Sequence, residues 1–237
     1  MEGAFSLGGL LDIIPLALLG AVLGLDVVSF PQAQISRPIV AATLAGAMLG
    51  NAGQGLLIGV ALELIALETL PFGASRYPEW ASASVVAGVL FAGQQGAQAG
   101  AMTAAVVAAL ATAWVGGGSM VVVRKLNGRW ARQRLKALDR GERQTVMGLQ
   151  VAGMSVDFVR GFLLTLVGII TLRPVMQASL ELWTLNPTIS RAVVVGVAVM
   201  VAAGATWKLF HTTPGARWLF LGGLAAGLGI AFVGGFA

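Results

Sequence analysis

Long apolar runs alternate with short polar interruptions along this chain, and the run lengths fall into two kinds. Phe5–Leu25 has the length of a membrane crossing, with Asp12 and Pro15 inside it predicting a kink. Leu25–Pro38 (LDVVSFPQAQISRP) is polar and carries two prolines. Ile39–Gly50 is apolar but too short to cross a bilayer alone. Asn51–Gly55 reads as a turn, and Gly55–Leu70 as a helix of marginal length. Pro71–Trp80 is a second polar break, and Ala81–Gly93 another short apolar run ended by Gln94 and Gln95.

The second half is more regular. Ala97–Val123 is long enough to span with tilt, and a basic stretch follows in which WARQRLKALDR reads as a surface helix. Gly153–Met176 spans with Asp157, Arg160 and Arg173 at its ends, and Gln177–Pro187 connects, with Trp183 as an interfacial anchor. Ile189–Trp207 spans, Lys208–Ala216 turns, and Arg217–Phe236 is the last crossing.

Composition places these runs in a bilayer: 57% of residues are hydrophobic, 11% are charged, and mean hydropathy is +0.85. Irregular polar backbone at membrane depth is tolerated only where protein or a water-filled cavity satisfies it. The expected fold is therefore an all-α integral membrane protein, a multi-span helical bundle with broken or re-entrant helices in its N-terminal half. One transport domain, 1–237, would comprise a half with the breaks and candidate site (1–123), a basic amphipathic connection (124–145) and a second half of spans (146–237). Ile35-Ser36-Arg37 and Ile189-Ser190-Arg191 each follow a proline, which leaves an internal repeat open beside a three-residue coincidence.

Charge sets the orientation. The net +5 is concentrated in Arg124–Arg143, which holds eight basic residues against two acids, so the remainder is slightly negative. One short basic connection in an apolar chain is the positive-inside signal; it puts that loop in the cytoplasm, beside lipid headgroups, and argues against nucleic-acid binding. Two crossings later Lys208 and Arg217 flank a turn without acids, on the same side. No basic residue precedes Arg37, so no cleavable signal peptide is expected. Without cysteine, disulfides and thiolate ligands are excluded, and the lone His211 cannot build a metal site or, untuned, a catalytic one. No cofactor is expected.

Glu63 is the sharpest single position. It sits inside GLLIGVALELIALETL with no basic neighbour in that segment. A charged side chain mid-span costs about 2.5–3.5 kcal/mol on insertion scales, so Glu63 should face a cavity, a partner charge or a ligand. Glu68, near the second break, is more ambiguous. At the first break Gln32, Gln34, Ser36 and Asp26 supply the neutral donors, acceptors and carboxylate that a sugar's hydroxyls require. Ser36 and Asp26 could equally satisfy the broken backbone, and Arg37 before Pro38 reads as a structural clamp on the break. The second break offers Arg76, Tyr77, Glu79 and Trp80, the last either stacking on a sugar or anchoring at the interface.

These residues also resemble a family. SRPIVAATLAGAMLGNAGQGLLIGVALELIAL followed by PFGASRYPE looks like the membrane subunit IIC of the mannose-type (mannose/fructose/sorbose) bacterial sugar phosphotransferase system, well over Leu25–Gln95 and by hydropathy beyond. Asn51 stands where the family's L-G-D aspartate is usual, and Ser36 replaces the commoner histidine before Arg-Pro. The resemblance implies a multi-pass subunit of the bacterial inner membrane, oligomeric and working with a membrane partner IID and cytoplasmic IIA and IIB phosphocarriers. It carries no phosphorylated residue of its own and takes Gln34 and Glu63 as sugar contacts. The competing function is an ion-coupled carrier of a small polar solute with Glu63 as the coupling site. A non-transporting scaffold would leave the intramembrane carboxylate and both breaks without a purpose.

Overall fold

The computed structural model describes residues 10–27, 29–69, 76–94 and 99–234. They form α1 (Leu10–Asp26), α2 (Pro38–Met48), α3 (Ala52–Ala66), α4 (Trp80–Ala92), α5 (Ala101–Gln133), α6 (Leu135–Asp139), α7 (Arg143–Glu181), α8 (Pro187–Phe210) and α9 (Ala216–Gly234), with no strand among the described residues. Residues 5–9 of the first predicted span, residues 71–75 of the second break, Gln95, Ala97 and Phe236 lie outside them.

The two kinds of apolar run become two kinds of helix. α5, α7 and α8 are long and apolar enough to cross a membrane. α2, α3 and α4 have 11, 15 and 13 residues. At 1.5 Å per residue these are about 16, 22 and 20 Å long, well short of a hydrocarbon core of about 30 Å. α2 packs most extensively on α3, and α1 runs along α7. α4 is the axis of the bundle: every residue from Ala81 to Ala92 is buried, as expected for a helix that is apolar all round.

The short helices share their ends. Asn51 in the α2–α3 turn donates its side-chain N–H to Ala92 O at the end of α4 (3.4 Å). At the opposite level the start of α2 and the end of α3 meet through Arg37 and Glu63. The first break therefore lies with the end of α3, at the level opposite the Asn51 turn. Close backbone approach holds the stack together. A Cβ at Gly46 would lie 2.7 Å from both Asn51 O and Gly55 Cα, one at Gly55 would run into Ala42 O, and one at Gly88 would come within 2.8 Å of Ala42 O. Small residues at such crossings are how membrane helices pack tightly.

Three expectations are corrected. Asn51–Gly55 is not a turn throughout: Gly50 makes the reversal at φ +74°, and helix resumes at Ala52. The basic stretch does not start a separate surface helix at Trp130. α5 runs on through Gln133, because Lys and Arg are good helix formers, only Gly128 interrupts, and cations suit a helix C-terminus. Only the five-residue α6 follows. Likewise α7 extends at both ends, so the predicted Gln177–Pro187 connection shrinks to residues 182–186. The two Ile-Ser-Arg triplets also differ in place: one precedes α2 inside a break, the other lies in the first turns of α8. There Ser190 accepts the Trp183 indole N–H (2.8 Å) and caps nothing like a break.

Candidate functional site

The first break is folded around one carboxylate. Asp26, 2% exposed at the end of α1, accepts hydrogen bonds from Ala33 N (2.6 Å), Ser36 N (3.0 Å) and Ser36 Oγ (2.8 Å). These bonds stand in for the helical ladder that residues 31–36 lack, and they tie residues 33–36 back to α1. Between them Gln32 and Gln34 adopt φ of +58° and +64°. Left-handed backbone costs a non-glycine residue about 1–2 kcal/mol. Such residues concentrate where a side chain must be presented to a site. The Phe30–Pro31 bond is cis.

The break ends in a clamp between helices. Arg37 donates from Nε to Glu63 Oε1 (2.7 Å), and its Nη2 pairs with the same oxygen. Glu63 Oε2 accepts the backbone N–H of Ile39 (3.2 Å). Pro38 opens α2 without an N–H and Arg37 makes no side-chain cap, so α2 is capped by a carboxylate from α3. The basic partner missing from the Glu63 segment thus comes from the first break.

A cavity of 460 Å³ opens between the two breaks. Gln32, Gln34, Ser36, Arg37, Tyr77 and Trp80 are among its walls. Trp80 donates its indole N–H to Thr69 Oγ1 (3.0 Å), which fixes the ring against the cavity and favours the stacking reading over the interfacial one. The volume suits a small ligand, and amides beside an aromatic face are the usual equipment for orienting a neutral polar one.

Of the site residues expected from sequence, Gln32, Gln34, Ser36, Asp26, Arg37 and Pro38 come together here. Ser36 and Asp26 are largely spent on each other. Glu63 is not a lining residue and acts on the cavity through Arg37. Glu68 points elsewhere, pairing with Lys208 of α8 at 3.1 Å. Gln94 lies in a separate cavity with Glu181 and Trp183. His211 is exposed, its Nδ1 3.1 Å from Lys208 O.

Sequence reasoning underrated three groups. Thr69 and Tyr77 line the cavity. Glu79, fully buried, caps α4 by accepting Ser82 N (3.2 Å). Asp157 and Arg160, inside α7 rather than at either end of that helix, form a buried pair (2.7 Å). Opposite charges three residues apart on one helix were the available signal.

Comparison with known proteins gives one consistent picture. A family model described as the PTS system sorbose-specific IIC component matches residues 10–228. The mannose-specific EIIC component of the phosphotransferase system of Escherichia coli K12 is 29% identical over 151 residues, covering 63% of this chain and 54% of the relative. The chain thus spans about half the length of that curated relative. Among solved structures, one titled only as a membrane protein superposes with a TM-score of 0.73 at 22% identity, covering 95% of this chain and 92% of the other. The mannose transporter ManYZ in complex with microcin E492 superposes with a TM-score of 0.58 at 23% identity, covering 92% and 86%. At those identities the likeness is one of fold.

Proposed function

The chain belongs to the family of phosphotransferase-system sorbose-specific IIC components, and on that premise we propose a function for its cavity. It binds a hexose-type sugar between the two breaks and passes it inward to a cytoplasmic phosphocarrier for phosphorylation. The observation that carries this reading is the pair Gln32 and Gln34, presented from left-handed backbone at the wall of a cavity that a fixed indole also lines. The two amides contact hydroxyls and Trp80 covers a ring face. Asp26 and Ser36 hold the loop, and Glu63 positions the start of α2 through Arg37.

The chain is one transport domain of a bacterial cytoplasmic membrane. It works with a homologous membrane subunit IID and with IIA and IIB proteins that carry the phosphate; an oligomeric assembly goes with this reading. The membrane subunit's contribution is to position the sugar hydroxyl, making phosphoryl transfer effectively intramolecular. An ion-coupled carrier with Glu63 as coupling site is less well supported, because Glu63 is already neutralised by Arg37.

Membranes carrying the chain and IID should phosphorylate the sugar when given IIA, IIB and phosphoenolpyruvate, and should not accumulate free sugar without them. Gradient-driven accumulation of unmodified sugar would overturn the proposal. Gln34→Ala should raise the apparent KM for uptake about tenfold, as expected for losing one or two hydrogen bonds at ~1 kcal/mol each, with little change in maximal rate. A lower maximal rate at unchanged KM would move Gln34 out of the binding site.

The basic connection gives the orientation, with α5 entering the cytoplasm and α7 leaving it. In the otherwise cysteine-free chain, Ala137→Cys should react with an impermeant thiol reagent only from the cytoplasmic side. Labelling in intact cells would invert the topology.

A further inference from the structure

A second cavity, of 490 Å³, lies between α5 and α7, and Tyr77 lines both it and the first. Its other walls include Asn127, Trp130, Gln150 and Asp157. Asp157 is 5% exposed. Its Oδ1 accepts from Arg160 Nε (2.7 Å), and Arg160 Nη1 reaches Ser119 Oγ (3.4 Å), so the charge of the carboxylate is answered. Its Oδ2 has no hydrogen-bond partner among the described residues, and neither does the buried Oδ1 of Asn127. Buried acceptors without donors are costly and mark a place where a donor is expected to bind.

The chemistry of that donor follows from the walls. A lone carboxylate already paired with arginine is a poor cation site, and no metal-binding cluster occurs among the described residues. An anion would meet the two acceptor oxygens, while the buried Nη2 of Arg160, the partner of Asp157, is a donor without a hydrogen-bond partner among the described residues. Arg124 also lines the cavity, its guanidinium 5.5 Å from the centroid of the Tyr77 ring. What fits is a neutral molecule whose hydroxyls both donate and accept, with an apolar face for the indole of Trp130.

We propose that this cavity is a second sugar station, inward of the first, with Asp157 and Asn127 accepting from hydroxyls, Gln150 bonding to them and Trp130 covering the ring. The proposal rests on the sugar reading of the first cavity. The shared Tyr77 makes the two stations neighbours.

The cysteine-free chain allows a direct test with two reporters that are not polar site residues, Val27→Cys in the first cavity and Ala131→Cys in the second. The full chain, in permeabilised membranes with IID, is treated with a small methanethiosulfonate while mannose or sorbose is titrated. Either sugar should slow modification at both positions. Trp130→Ala should raise the half-protecting concentration at Ala131→Cys about tenfold, leave that at Val27→Cys unchanged, and be rescued by Trp130→Phe. Gln34→Ala should do the reverse. Protection at Val27→Cys alone overturns the second station and leaves the proposed function standing. Protection at neither overturns both. Loss of protection at both positions in Gln34→Ala shows an indirect effect of the first site and also overturns the second.

Discussion

Glu63→Ala should abolish sugar uptake and destabilise the chain, while Glu63→Gln keeps more of the fold than of the transport. Removing the carboxylate deprives three donors at once: Nε and Nη2 of Arg37 and the backbone N–H of Ile39. The side chains of Arg37 and Glu63 are 27% and 21% exposed. The expected loss is therefore about 2–3 kcal/mol, below the 3–5 of a fully buried broken pair. Arg37 lines the cavity, so an unclamped guanidinium would also intrude on the proposed sugar site. Glutamine keeps an acceptor but not the charge. Uptake at matched abundance, with thermal unfolding in detergent, separates the two effects. The double variant Arg37→Ala/Glu63→Ala should be more stable than the sum of the single losses, since no orphan charge remains. Normal uptake by both Glu63 variants would remove the clamp from the mechanism.

Gly55→Val should damage both the fold and transport. Any Cβ at Gly55 meets Ala42 O and lies 3.0 Å from Gly46 Cα, both of them backbone. Backbone cannot rotate aside, so α2 and α3 must separate, at a cost near the upper end of the 1–3 kcal/mol typical of overpacking. Because that pair holds the clamp, transport should fall with stability. Gly53 supplies the control. It lies two residues away on the same helix with nothing within 4 Å of its Cβ position. Gly53→Ala should leave uptake intact and gain a few tenths of a kcal/mol or more from helix propensity. Equal tolerance of both substitutions would show that α2 and α3 are not in backbone contact in the membrane.

The sequence made the kind of each helix legible because run length and hydropathy are local properties. Ile39–Gly50 and Ala81–Gly93 are too short to cross, and they form α2 and α4 within one or two residues of those bounds. The ends of α5 and α7 were not legible: a basic run that is a good helix former gives no local sign of where an apolar helix stops. The site was half legible. Polar residues with nothing to do in a bilayer stood out, so Gln32, Gln34 and Glu63 were singled out, and two of the three line the cavity. Which of them faces the cavity depends on contacts 24–26 residues apart, such as Glu63 with Ile39 and Arg37, and no periodicity carries that information. Glu68 shows the limit most sharply, since its partner Lys208 lies 140 positions away.

The cap that α3 places on α2 has a consequence for how the protein is made. Neither α2 nor the carboxylate of Glu63 is suited to entering lipid by itself: one is too short, the other costs about 2.5–3.5 kcal/mol on insertion scales. Together they form a hairpin whose turn at Leu49–Asn51 needs no polar loop, and whose two charges cancel on contact. α2 and α3 are therefore expected to enter the bilayer as one unit. A chain arrested between them would hold Arg37 with its Glu63 counter-charge not yet synthesised.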